Sequence, residues 1–336
     1  MSKEPTAYIH TGQGKALFAF GKGAYIRCNT GNALEQMDDF LAKHRNAYLF
    51  SFLGYDLKNE IEDLQSANPD GLEFPDLFCW HPEYVIEIEG ENHSFLQGQP
   101  DEYALDRLGQ LQTRLRQPDQ SLPAIRFRNR ITKEKYIAEV SAVLKEIQFG
   151  NSYELNFCQE FFAEEIPDFD SWELVKQQFK LTQAPFSAFL EFDEFQVFCG
   201  SPERFIRKEG ALLSSQPIKG TIRRGKDPEE DELLKNILRN DPKERSENVM
   251  ITDLVRNDLS RIAAKDSVQV DELCGIHTFA TVHHMISTVS CTMAPAIPFS
   301  QILRATFPMG SMTGAPKISS MQLIEKHESF RRGLYS

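Results

Sequence analysis

The chain of 336 residues has no run approaching the roughly 20 consecutive apolar residues that cross a bilayer. Its opening, MSKEPTAYIH, lacks the basic-then-apolar layout of a secretory leader. No membrane association is expected, and a cytoplasmic protein is. Cations are also in deficit: 37 Lys and Arg face 49 Asp and Glu, a net charge of -12 that repels a phosphate backbone. No basic stripe interleaved with aromatics offsets this locally, so nucleic acid is not an expected partner. The six cysteines, Cys28, Cys79, Cys158, Cys199, Cys274 and Cys291, include no CxxC pair. That spacing argues against a structural zinc site and a disulfide framework and leaves reduced, buried thiols. His277, His283 and His284 lack the spacing of a zinc helix. The stretch TGQGKALFAFGKG carries glycines but neither GxGxxG nor GxxxxGK[ST], so it reads as turns.

What is present is an ordinary soluble composition, 41% apolar and 26% charged, sufficient for one large core or two modest ones. Up to about residue 123 the pattern is short strands and irregular connections. NAYLFSFLGYDL and EYVIEIEG read as strands, ALDRLGQLQTRLR as a helix and SANPDGLEFPD as a long loop. From Thr132 the texture changes. Tyr136, Ile137, Val140, Val143, Leu144 and Ile147 recur at helical spacing, with Thr132 as cap and Gly150 as stop, which predicts an amphipathic helix. SYELNFCQEFF follows as a strand. SAFLEF then turns at Asp193-Glu194 into FQVFCG, and RFIRK turns at Glu209-Gly210 into ALLSSQP, an antiparallel meander. DPEE at Asp227 and DPKE at Asp241 each offer an Asp cap, a Pro at the first helical position and a Glu three residues on, marking two helix starts. SVQVDEL and TFATVHHMISTVSCTM read as further strands.

Three groups of residues could carry chemistry. With a turn at Glu209-Gly210, Glu203 falls opposite Gln216 and close to Lys219, a surface ion pair or the core of a site. Strict alternation would set the two on opposite faces, although Pro202 and Pro217 interrupt regular pairing there. Glu247 shares the i, i+3, i+4, i+7 stripe with Met250, Ile251 and Leu254, which predicts a carboxylate on an otherwise apolar face. Such a group needs a cation, and either a magnesium ion or an arginine such as Arg245 or Arg256 would serve. GSMTGAPK, Gly310 to Lys317, sets small and hydroxylic residues before the helical ISSMQLIEKHE. That arrangement suits a carboxylate or phosphate, or is a plain glycine-rich loop.

Their order and wording resemble a known family. From about Arg126 onward, SPERF, PIKGTIRRG, KERSENVMITDLVRNDLSRI, VHHMISTV and GSMTGAPK are similar to the chorismate-utilising enzymes, and YLFSFLGYDL and FPDLFCW resemble that family's N-terminal half. The resemblance implies an α+β fold, two large and mainly antiparallel sheets packed face to face with helices outside. It divides the chain into residues 1–123, strands and loops contributing to a shared sheet, and residues 124–336, a chorismate-binding catalytic region. PIKGT resembles the aminodeoxychorismate synthases of the family, since anthranilate synthases have alanine where Lys219 stands. The members that activate water carry a lysine at the position of Glu154.

The resemblance therefore implies amination of chorismate to 4-amino-4-deoxychorismate through a covalent Lys219 intermediate, on the route to 4-aminobenzoate and folate. It makes Glu203 the general acid and Glu247 a magnesium ligand. Gly220, Thr221, His284, Gly310, Ser311, Thr313, Gly314 and Lys317 would bind substrate. Arg223 and Arg224 are expected to favour the neutral form of Lys219. A separate glutamine amidotransferase subunit would supply ammonia, because no GxCxG elbow occurs in the chain. Two alternatives stay open: an anthranilate synthase component I, or an inactive chorismate-binding protein. The second follows from RRGLYS, which stops within a motif that in the family continues to a second acidic magnesium ligand.

Overall fold

The structure, a computed structural model, describes residues 4–12 and 14–334. Gln13 of the glycine-bearing stretch, and Tyr335 and Ser336 of RRGLYS, lie outside them. Its largest sheet has six strands, in spatial order Phe195–Ser201, Phe186–Phe192, Thr6–Gly12, Lys15–Phe20, Tyr84–Glu89 and Asn92–Gln97. Every pairing in it is antiparallel. Strands from early and late in the chain thus complete one sheet, which closes long loops before any contact forms and places non-local packing at the centre of the fold.

Alternation along these strands sends two sets of side chains to two faces. On the outer face Phe18, Ile86 and Phe189 meet the helices Glu102–Arg116 and Ser171–Thr182 through Leu108, Leu111, Val175 and Phe179. On the inner face Ala7, Ala19, Val85 and Leu190 meet a three-stranded sheet of Tyr25–Cys28, Leu77–Trp80 and Phe50–Leu53 through Phe50, Phe78 and Trp80. Each fully buried Phe or Leu contributes about 1.5–3 kcal/mol by leaving water. Aromatic rings interlock in this stack, as with Phe78 and Phe192 at 4.3 Å between centroids.

The site-bearing half is a five-stranded antiparallel sheet. Arg204–Glu209, Leu212–Gln216, Val282–Thr292 and Ile218–Arg223 lie in that order, and Gln269–Thr278 also pairs with Val282–Thr292. The helix Pro242–Ser260 packs Val255 and Leu259 onto Leu213, Val289 and Cys291. Both expected caps form: Asp227 accepts from the Glu230 N–H, and Asp241 from those of Lys243 and Glu244. The architecture is α+β with antiparallel sheets, as expected, and no helix among the described residues is long and apolar enough to cross a membrane.

Several local expectations need correction. SYELNFCQEFF does not form one strand; it holds two separate two-residue strands, Glu154–Leu155 and Phe161–Phe162, each paired elsewhere. The second hairpin turns one residue later than expected, with Glu209 opposite Leu212, and a register shift then puts Arg204 rather than Glu203 opposite Gln216. The Lys133–Gln148 helix is capped by Thr132 as expected, yet only Val143 on it is buried, while Tyr136, Ile137 and Leu144 are exposed. The six cysteines are unpaired, three of them buried.

Candidate functional site

Lys219 sits in the edge strand Ile218–Arg223, where the pairing with Val282–Thr292 shifts register between Ile218 and Thr221. Gly220 occupies that irregularity at φ +94, a backbone conformation that disfavours residues with a Cβ. A Cβ there would also stand 3.2 Å from both Glu244 Oε2 and Met285 Cβ. The bulge leaves the Lys219 carbonyl free of the ladder, and Asn248 Nδ2 of the neighbouring helix donates to it at 3.2 Å. The same amide donates to the Met285 carbonyl at 3.1 Å, so Asn248 bridges the two strands from a fully buried position.

The Lys219 ammonium is not paired with Glu203, as the hairpin pattern suggested. It contacts Glu154 Oε1 directly, with both side chains largely withdrawn from solvent. Glu154 reaches this position because Glu154–Leu155 pairs with Gly314–Ala315. Gly314 tolerates no side chain there, since a Cβ would fall 2.1 Å from the Glu154 carbonyl oxygen. The small residue in GSMTGAPK is therefore a close-approach glycine that clamps a second segment of chain.

Glu203 lies one residue before the Arg204–Glu209 strand. Its Oε1 accepts from Ser311 Oγ at 2.7 Å and from the Ile218 N–H at 3.1 Å, beside Lys219. Burial pushes the Glu203 carboxyl above the usual range, and Ser311, the Ile218 N–H and the Lys219 charge only partly oppose this. The acid and the lysine are thus neighbours after all, through broken alternation on both strands. A narrow space of about 10 Å³ behind Glu203, lined by Ser215, Pro217 and Val255, is too small for anything beyond a water. A roomier hollow of about 540 Å³, lined by Tyr8, His10 and Phe179, lies at the outer face of the six-stranded sheet and holds none of these groups. The chemistry, not the volume, marks the site.

The remaining expected residues divide. His284 Nδ1 lies 2.8 Å from Thr221 Oγ1, directly across the strand pair, and burial lowers the imidazole pKa. His283 is fully buried, with Nε2 2.9 Å from Asp231 Oδ1, a structural contact. Gly310, Ser311 and Thr313 form a one-turn helix in which Ser311 alone turns its hydroxyl to the acid, while Thr313 Oγ1 donates to the Met309 carbonyl at 3.1 Å. Lys317 reaches Asp258 Oδ2 at 2.6 Å and the Thr306 carbonyl at 3.0 Å, so its charge braces the loop instead of standing free. Arg223 and Arg224 are likewise committed, to Glu230 and Asp231. The Asp231 carboxyl is held well below its usual range by Arg224 first, then by the Gly225 N–H and His283.

Glu247 departs from the expected burial: it is half-exposed and pairs with Lys243 at 2.9 Å, one turn back, and with neither Arg245 nor Arg256. Its stripe nonetheless continues to Leu254, against which a Cβ at Gly310 would press, and to Asp258, which takes Lys317. Glu247 therefore stands at the open end of the face that borders the glycine loop. No cluster of three or more His, Cys, Asp or Glu poised for a metal occurs among the described residues. Magnesium asks for less, one or two carboxylates with retained waters and substrate oxygens, and Glu247 with Glu244 one turn before it supplies that donor type. Lys243 is mostly exposed and easily displaced.

Residues 3–336 match the family described as chorismate binding enzyme. Among relatives, aminodeoxychorismate synthase component 1 of Klebsiella aerogenes is 35% identical over 283 residues, 84% of this chain and 62% of that one. The protein of the same name from Escherichia coli K12 is 34% identical, with the same coverage of both chains. The matched region thus spans a little under two thirds of these relatives' length. Anthranilate synthase component I from Streptococcus pneumoniae TIGR4 shares the fold at a TM-score of 0.81 and 24% identity, over 96% of this chain and 78% of that one. The menaquinone-specific isochorismate synthase MenF of Escherichia coli does so at 0.73 and 16%, over 98% and 74%.

Proposed function

The chain belongs to the family of chorismate binding enzymes, and from that premise we propose that it aminates chorismate to 4-amino-4-deoxychorismate through a covalent bond to Lys219. One observation carries this reading: a withdrawn lysine stands beside a carboxyl, Glu203, that burial holds toward its protonated form. A protonated carboxyl can give its proton to a departing hydroxide, a poor leaving group otherwise. The lysine can add to the ring, and ammonia can then displace it, which replaces one hard substitution by two easier ones. The names of the relatives support aminodeoxychorismate over anthranilate as the product, and so does the lysine in PIKGT.

Ser311 would orient Glu203, and Thr221 with His284 would line the ring pocket. Gly310, Thr313 and Gly314 would bring backbone groups close to a substrate carboxylate. Glu247 would hold magnesium, with Glu244 beside it. Magnesium, when bound, neutralises a substrate carboxylate and draws electron density from the ring. Ammonia would come from a glutamine amidotransferase subunit, and the designation of the relatives as a component 1 supports a second component. Unpaired cysteines are compatible with work in the reducing cytoplasm.

The test is product identification by mass spectrometry after incubation with chorismate, magnesium and ammonia, with a chelator arm. The expected product is 4-amino-4-deoxychorismate, lost on chelation and in Lys219→Ala. Withholding ammonia should leave an adduct on Lys219. Anthranilate as the main product would overturn the reading, and chorismate binding with neither product nor adduct would favour a binding protein.

A further inference from the structure

A lysine must attack through a free lone pair, and the Nζ of Lys219 lies against a carboxylate. Something must take its proton when substrate is in place. Glu203 cannot serve, because its own proton is needed by the leaving hydroxyl and its Oε1 already accepts from Ser311 and from the Ile218 N–H. His284 bonds Thr221 through Nδ1, and no hydrogen bond or ion pair joins it to Lys219 among the described residues. Glu154 remains, and it is the group that touches Nζ.

Glu154 has a second, independent peculiarity: its Oε2 is buried with no hydrogen-bond partner among the described residues. Buried carboxylate oxygens are ordinarily satisfied, so an orphan beside a reacting nitrogen asks for a role. An unpartnered oxygen can accept a proton without breaking any existing bond. The backbone on either side is fixed, since Ser152 Oγ donates to the Glu154 carbonyl at 2.8 Å and Gly314 packs against it. The side chain is thus aimed at Lys219 by a segment that cannot slide.

We propose that Glu154 is the proton acceptor that frees Lys219 for attack, an assignment that rests on the nucleophile reading above. One proton passes from Nζ to Glu154, leaving a neutral amine and a carboxylic acid. The amine lone pair forms the C–N bond as the C–O bond breaks, and the hydroxyl leaves as water with the proton of Glu203. Ammonia then displaces Lys219 as a neutral amine, which takes its proton back from Glu154, and the product ammonium returns one to Glu203. The cycle balances without any further reagent.

The experiment follows adduct formation on Lys219 by rapid quench and mass spectrometry, with ammonia withheld and chorismate affinity measured separately. Glu154→Gln keeps the shape but cannot accept a proton, and it should slow adduct formation by about 100-fold or more, the usual range for a lost general base. Chorismate affinity should stay near that of the parent. In Glu154→Ala, added formate should restore part of the rate. A rate in Glu154→Gln equal to or above the parent would overturn the proposal, by showing that the carboxylate only restrains the ammonium. Loss of affinity in step with rate, without formate rescue, would overturn it too. If the parent forms no adduct, the nucleophile reading falls and takes this one with it; if the parent forms it and Glu154→Gln matches, only the present proposal falls.

Discussion

Ser311 Oγ donates to Glu203 Oε1 at 2.7 Å, joining the one-turn helix Gly310–Thr313 to a carboxyl 108 residues earlier in the chain. That bond stabilises the charged form of Glu203 and opposes the larger effect of burial. Ser311→Ala should therefore raise the Glu203 pKa further and move the alkaline limb of the pH–rate profile to higher pH. An unmoved limb would separate Ser311 from the acid.

Stability should report the same group. With the folded pKa raised, Glu203 contributes fully below the ordinary Glu range, and the contribution is lost as pH rises through the folded value. Glu203→Gln should accordingly raise the melting temperature more at pH 8 than at pH 4 while abolishing turnover. Equal shifts at both pH values would contradict the assignment.

Gly314 and Gly150 make a controlled pair. Both have positive φ, +141 and +83, but a Cβ at Gly314 would collide with the Glu154 carbonyl whereas Gly150 faces open space. Gly150→Ala should cost about 1 kcal/mol in urea unfolding, the backbone effect alone. Gly314→Ala adds overpacking, roughly 1–3 kcal/mol more, and should also move Glu154 off Lys219. Similar costs for the two would show that the contact yields freely.

Lys317 and Asp258 form a pair whose side chains are 12% and 9% exposed. Lys317→Met leaves a buried carboxylate without its cation and should cost about 3–5 kcal/mol. Combining it with Asp258→Leu should recover most of that loss, and the cycle gives the coupling. If Lys317→Met weakened chorismate binding at unchanged stability, the lysine would be a substrate contact instead.

Local chemistry made much of the fold legible. Thr132, Asp227 and Asp241 cap helices where their side chains can reach two or three residues ahead, a decision taken within one turn. The Asp193-Glu194 turn likewise follows from its flanking alternation. Where proline and register shifts intervened, as at Glu203 and Arg204, alternation lost its force and the expected pairing slipped. The helical stripe through Glu247 lies on one helix as expected, but a stripe says which residues share a face and not where that face meets solvent. The pairing of Lys219 with Glu154 had no local signal at all. It depends on a two-residue strand held by a glycine 160 positions further on, and only the spacing of backbones in three dimensions reveals it.

Asn248 sets how finely the candidate machinery can be adjusted. Its amide grips the Lys219 and Met285 carbonyls, and the residue before it in the helix is Glu247. The backbone that carries the amine proposed to react and the carboxylate proposed for magnesium thus hang from a common bracket, one by a side-chain grip and the other by a single peptide unit. A displacement of the helix should therefore carry both stretches of backbone together.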